Sequence, residues 1–181
     1  VTPLDYLRRC GADLTLVGVG STQIRSARGL TLVCDCSLEA LVPEAADKSG
    51  QEAALDKIAS ETALVILPGG IPNSRTLAAS EPLRSLVTAV ARHGGLVAAN
   101  CAAPVLVLSK WGLLDSRRFT CYPGMGENLS TPPVKECRSI RDGQFITACG
   151  AGAAEEFSFA LVQALYGEQK QAELKASIAA R

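Results

Sequence analysis

The sequence predicts an α/β fold in which a parallel sheet is covered on both faces by helices. Three observations carry this. Short runs that are apolar at every position, such as Ala63-Leu64-Val65-Ile66-Leu67 and Leu96-Val97-Ala98-Ala99, alternate with segments of helical spacing. A strand without a polar side is buried on both faces, which is the habit of parallel sheets. These runs end in glycine, proline or small residues, at Pro68-Gly69-Gly70, Asn100-Cys101-Ala102-Ala103, Tyr122-Pro123-Gly124 and Cys149-Gly150-Ala151-Gly152. Finally, 181 residues with 48% apolar and 20% charged side chains suit one domain, 1–181, with a sizeable core.

The elements follow in order. Thr2 offers a capping hydroxyl and Pro3 a first-turn proline, so a helix is expected over the apolar spacing Leu4, Leu7, Cys10, with Gly11 as its stop. Strands are expected at 14–19 and 30–34, and Ser37 reads as the cap of a short helix. Residues 43–54 read as a polar loop, with a short helix possible over 52–58. The strand at 63–67 leads to helices at 75–78 and 81–93, and the strand into Cys101 to a helix ending near Lys110. A short strand is expected at 118–122. Arg141-Asp142-Gly143 is a hairpin turn between strands at 134–140 and 144–148. A helix from Ala153 stops at Gly167, and a terminal helix covers 168–180.

Composition removes several functions. Lysine plus arginine and aspartate plus glutamate balance at 18 each, with one tryptophan, three tyrosines and four phenylalanines. That neutrality, with no basic block, argues against nucleic-acid binding. No apolar run is long enough to span a membrane. Seven cysteines at irregular spacing read as free thiols in a reducing, cytoplasmic compartment. The single histidine, His93, excludes sites that need two, and ends a helix, where a cation suits the dipole. Cys34-Asp35-Cys36 has no partner motif to complete a metal site, so neither metal nor cofactor is expected.

The chemistry points to Cys101. It ends an apolar strand and is followed by small residues that permit a sharp turn into a helix. A cysteine there faces free backbone N–H groups, whose dipoles favour the reactive thiolate. The N–H groups of Gly70 and Ala102 are candidate oxyanion donors. Gly69, Tyr122, Pro123 and Gly150 are expected to line the pocket, because parallel sheets bind ligands at the carboxyl ends of their strands. Cys121 lies beside the crevice and is a lesser candidate for a resolving thiol. Glu155 and Glu156 read as acids at a helix start, and Trp111 as packing.

Five segments in order, Leu67-Pro68-Gly69-Gly70, Ala98-Ala99-Asn100-Cys101-Ala102-Ala103-Pro104, Thr120-Cys121-Tyr122-Pro123, Asp142-Gly143-Gln144-Phe145-Ile146-Thr147 and Gly150-Ala151-Gly152-Ala153-Ala154-Glu155-Glu156-Phe157, resemble the ThiJ/PfpI superfamily. The resemblance is strongest to its DJ-one branch and extends to Arg28 and the Cys34-Asp35-Cys36-Ser37-Leu38 segment. It implies a flavodoxin-like three-layer sandwich with a small β-hairpin, usually a homodimer, and an oxidation-prone cysteine at Cys101. It implies an interface or pocket salt bridge for Arg28. It also implies a first strand and an acidic loop whose glutamate faces that cysteine. Both would lie before Val1, so the expectation is that this sequence lacks them.

The activities implied are cofactor-free glyoxalase and deglycase chemistry on methylglyoxal or its protein and nucleotide adducts, tied to oxidative-stress defence. The rival reading is a redox-sensing chaperone in which Cys101 oxidation is the signal. Protease-like relatives carry histidine directly after the cysteine. Ala102 stands there instead, which removes the general base and with it peptidase chemistry. Tyr122 replaces a histidine found in part of the branch. A glutamine amidotransferase would need a Cys-His-Glu set, and His93 lies in the wrong segment for one.

Overall fold

A computed structural model describes residues 1–42 and 48–180. Its centre is a four-stranded sheet in the order β5 (Leu64–Leu67), β6 (Leu96–Asn100), β8 (Phe145–Ala148), β7 (Ser139–Asp142). Strands β5, β6 and β8 are parallel, and β7 returns antiparallel to β8. Every side chain of β8, and every one of β6 before Asn100, is buried, which is why these runs contain no polar alternation.

Alternate residues of β6 feed two cores. Val97 and Ala99 face a cluster with Leu83, Leu86, Val87 and Val90 of α5 (Glu81–Arg92). Leu96 and Ala98 face Leu7 of α1 (Thr2–Arg9) and Phe157, Leu161 and Val162 of α6 (Ala154–Ser177). Helices on both faces of the sheet make the three layers, in accord with the predicted α/β class. α3 (Lys48–Glu61) packs outside α5, and α4 (Ile71–Ala79) follows β5. As expected, Gly167 breaks α6 into two helical segments, with φ 86 and ψ 174, in the region of positive φ where glycine is unstrained. The segment beyond folds back, so that Leu174 is buried in the cluster with Leu7 and Gln171 Nε2 donates to the Phe159 carbonyl at 3.0 Å.

Several elements differ from expectation. Thr2 lies inside α1, whose cap is Val1 with no side-chain bond, so its hydroxyl does not cap. Residues 48–54 belong to helix α3 rather than to a loop; the remainder of that expected loop, 43–47, lies outside the described residues. The strand expected at 14–19 shortens to β1 (Val17–Gly18), paired in parallel with β4 (Cys36–Ser37) in a ladder of its own. The one expected at 30–34 is β3 (Thr31–Val33), in an antiparallel hairpin with β2 (Gln23–Arg25). This hairpin is not buried: Leu30 is 55% exposed and Val33 71%. Ser37 caps the short helix α2 (Leu38–Leu41) as expected, its Oγ accepting from Ala40 N at 3.2 Å.

No helix among the described residues is long and apolar enough to cross a membrane.

Candidate functional site

At the end of β6 the backbone turns sharply. Cys101 has φ 62, one of three non-glycine residues with positive φ among the described residues. For a residue with a Cβ this is strained, and it persists only where the surroundings hold it. Three contacts do so. The Cys101 N–H donates to Ala148 O of β8 at 2.9 Å, and the Cys101 carbonyl accepts from Tyr122 N at 2.8 Å. Gly69 presses on the turn so closely that a Cβ there would lie 2.5 Å from Cys101 Cβ. Ala102 and Ala103 are fully buried, which explains why both are small. The chain then enters a π-helical segment, Pro104–Ser109, where an ordinary helix was expected.

The candidate loops do converge. Gly69 abuts Cys101, Tyr122 is hydrogen-bonded to it through the backbone, and Gly150 lies beside the Tyr122 ring. Tyr122 and Pro123 are exposed at the rim, Tyr122 by 52%. Cys101 itself is half-buried. Neither the Gly70 nor the Ala102 N–H has a hydrogen-bond partner among the described residues. Gly70 takes φ 89, a conformation that favours glycine. The loop is pinned by Asn73, whose Nδ2 donates to Pro68 O at 2.8 Å. Asn73 carried no sequence signal: it acts through a turn it follows by five residues. Asn100, next to Cys101, has a buried Oδ1 with no partner among the described residues.

Residues 118–122 form no strand, contrary to expectation. They run beside β8 held by a side chain, with Thr120 N donating to Thr147 Oγ1 at 2.9 Å, so no backbone ladder forms. Cys121 is buried, and burial, followed by the charges of nearby Cys101 and Cys149, pushes its thiol up to about 11. That suits a protonated thiol and not the resolving role considered for it.

The carboxylates near these loops are occupied. Glu127 pairs with Lys135 at 2.7 Å, which holds it below the usual range. Glu155 accepts from Tyr6 OH at 2.9 Å. Glu156 binds the Arg138 guanidinium at 2.5 Å, which lowers its pKa. His93 ends α5 as expected, and its Nε2 also meets Asp56 Oδ1 at 2.9 Å. Trp111 packs half-buried against the core. Arg28 is exposed in the β2–β3 turn. Two surface clefts, of about 530 Å³ beside β7 and α6 and about 720 Å³ between α3 and α5, do not include Cys101.

The DJ-1/PfpI family model matches residues 1–164. The chain belongs to the DJ-1/PfpI family. Protein DJ-1 homolog B of Arabidopsis thaliana is 33% identical over the whole of this chain, but the chain spans only 38% of that relative's length. Protein dj-1beta of Drosophila melanogaster is 31% identical over 94% of this chain and 83% of its own. Its crystal structure superposes with a TM-score of 0.83, at 28% identity, covering 99% of this chain and 89% of the other. A protein named glutathione-independent glyoxalase DJR-1.2, of Caenorhabditis elegans, is 26% identical over 92% of this chain and 80% of its own.

Proposed function

We propose that the chain is a cysteine-dependent, cofactor-free glyoxalase or deglycase acting on methylglyoxal or its protein and nucleotide adducts, with Cys101 as nucleophile. The observation that carries this reading is the backbone of Cys101: a strained residue at a strand-to-helix turn, with the unpartnered N–H groups of Gly70 and Ala102 in the loops that meet there. Strain of this kind is retained where a site needs a side chain held in one place. The similarity to a relative named as a glyoxalase that does not need glutathione supports the same reading.

The reaction runs through a covalent adduct. The Cys101 thiolate adds to the aldehyde carbon, forming a C–S bond and a hemithioacetal oxyanion, which the Gly70 and Ala102 N–H groups stabilise. Loss of the proton on that carbon leaves its electron pair in an enediolate; return of a proton to the neighbouring carbon and protonation of its oxygen give a lactoyl thioester. Water then cleaves the C–S bond, releasing lactate and the thiolate. The net change is addition of one water, with no external oxidant or reductant. Gly69, Tyr122, Pro123 and Gly150 line the pocket. Glu127, Glu155 and Glu156 are engaged elsewhere and do not carry the proton.

A cytoplasmic homodimer is part of this proposal, and the apolar tip and edge of the exposed β2–β3 hairpin, Leu30 and Val33, support the association. The experiment is lactate production from methylglyoxal without glutathione. Wild type should form lactate, and Cys101→Ala should fall to the buffer rate while keeping its fold. Activity retained in Cys101→Ala would end the proposal. One observation favours a second reading, the redox-sensing chaperone: Cys101 N donates to the carbonyl of Ala148, the residue before Cys149.

A further inference from the structure

Three of the seven cysteines meet at one place. Asn100 and Ala148 are paired at the carboxyl ends of the parallel strands β6 and β8, and a cysteine follows each of them. Cys101 N donates to the Ala148 carbonyl at 2.9 Å, on the peptide that joins Ala148 to Cys149. Neighbouring strands lie about 5 Å apart. That is within the range of Cα separations found in disulfides. Cys149 N in turn donates to Arg138 O at 2.9 Å, which fixes the chain where it leaves the sheet. Both Cys101 and Cys149 are half-buried, so each is reachable by a small oxidant.

Cys121 completes the group but differs in kind. It is 5% exposed, and its Sγ lies 3.3 Å from Met125 O, positioned to donate. The Cys149 thiol is free and half-buried, and it lies near the Arg138 guanidinium. No group of three or more His, Cys, Asp or Glu among the described residues is arranged to hold a metal ion.

We propose that Cys149 is the resolving cysteine of Cys101, so that oxidation by a hydroperoxide closes a reversible Cys101–Cys149 disulfide. The proposal rests on the reading of Cys101 as a reactive thiol, and not on its turnover of any dicarbonyl. In the first step the Cys101 thiolate attacks one peroxide oxygen. The O–O bond breaks, hydroxide leaves, and Cys101 becomes a sulfenic acid. In the second, the Cys149 thiolate attacks the Cys101 sulfur, the S–O bond breaks, and a second hydroxide leaves. Two electrons pass from the two thiolates to one peroxide. The attack needs a thiolate. Cys121, held as a thiol by burial, does not compete. Capture by Cys149 shields the sulfenic acid from a second peroxide, which would carry it to the sulfinic acid.

The test uses the reduced full chain and hydrogen peroxide, with alkylation to stop the reaction, then intact mass and peptide mapping without reductant. The expected product has lost two hydrogens, carries a cross-linked peptide pair containing Cys101 and Cys149, and reverts with dithiothreitol. Cys149→Ser should lose the cross-link and gain two oxygens at Cys101 at the same peroxide dose, whereas Cys121→Ser should keep the cross-link. The wild-type peptide map needs no variant, so a folding defect cannot mask the answer. A wild-type chain that gains two oxygens at Cys101 as fast as Cys149→Ser, or a link from Cys101 to Cys121, overturns the inference alone. A Cys101 that neither links nor takes up oxygen overturns both the inference and the reactive-thiol reading beneath it.

Discussion

Gly69→Ala tests whether the Cys101 turn is held by close packing. A Cβ at Gly69 would lie 2.4 Å from the Asn100 carbonyl oxygen, 2.5 Å from Cys101 Cβ and 3.2 Å from the Asn100 carbonyl carbon. Two of these atoms are backbone, and none is the far end of a flexible side chain. To restore ordinary contact the two segments must separate by about 1 Å. Overpacking of that kind costs about 1–3 kcal/mol. For a chain of this size that lowers Tm by roughly 2–12 °C. Activity should suffer more than stability, because a displacement of about 1 Å at a reacting group costs on the order of 100-fold in rate. Gly150→Ala is the matched comparison. It faces the same crevice, has φ 166, which any residue adopts, and would place its Cβ 3.9 Å from the Tyr122 ring, an ordinary contact. Its Tm should change by no more than about 2 °C. The assays are thermal melting, the rate of Cys101 alkylation by iodoacetamide, and lactate production. A Gly69→Ala protein equal to wild type in all three would refute the reasoning, as would a Gly150→Ala protein that loses as much.

Two further outcomes are expected. Asp56 accepts from His93 Nε2 and from Arg92, and these bonds, the histidine's first, hold its carboxyl below the ordinary 3.8. A depressed carboxyl contributes stability above its unfolded pKa and loses it as pH falls through the folded value. Urea midpoints of Asp56→Asn should therefore lie below wild type near neutral pH and converge with it in acid, as pH falls below 3.8 and through the lower folded value; a gap as wide in strong acid, at about pH 2, as at neutral pH would contradict this. Phe157→Ala should destabilise by about 3–5 kcal/mol, because the ring is 1% exposed between α6, α1 and the sheet. Denaturant titration should show a lower midpoint at unchanged slope. A loss below about 1 kcal/mol would mean that α6 does not depend on this contact.

Legibility followed the kind of force involved. β5 and β6 were readable because burial on both faces leaves only apolar residues, and Asp142-Gly143 marked the β7–β8 hairpin by its turn chemistry. Leu30 to Cys34 read as a buried strand, yet Leu30 and Val33 are exposed and only Cys34 is buried, because composition alone does not distinguish a core strand from one that presents its side chains outward. Helix α3 was obscured by its polar residues, and residues 118–122 by a partner, Thr147, that bonds through its hydroxyl. At the site, Cys101, Gly69 and the paired alanines were visible because close approach demands small residues. Asn73 and Cys149 were not. One acts on backbone carbonyls, and the other gains meaning only when the register of β6 against β8 brings it beside Cys101.

The positive φ at Cys101 separates two properties usually lost together. A non-glycine residue held there costs the fold roughly 1–3 kcal/mol. Glycine would relieve that conformation while removing the sulfur. The glycine variant, which lacks the proposed nucleophile, would thus be at least as abundant in cells as the wild-type protein. A screen that rewards only steady-state protein level would keep it, and the side chain proposed as nucleophile would look dispensable.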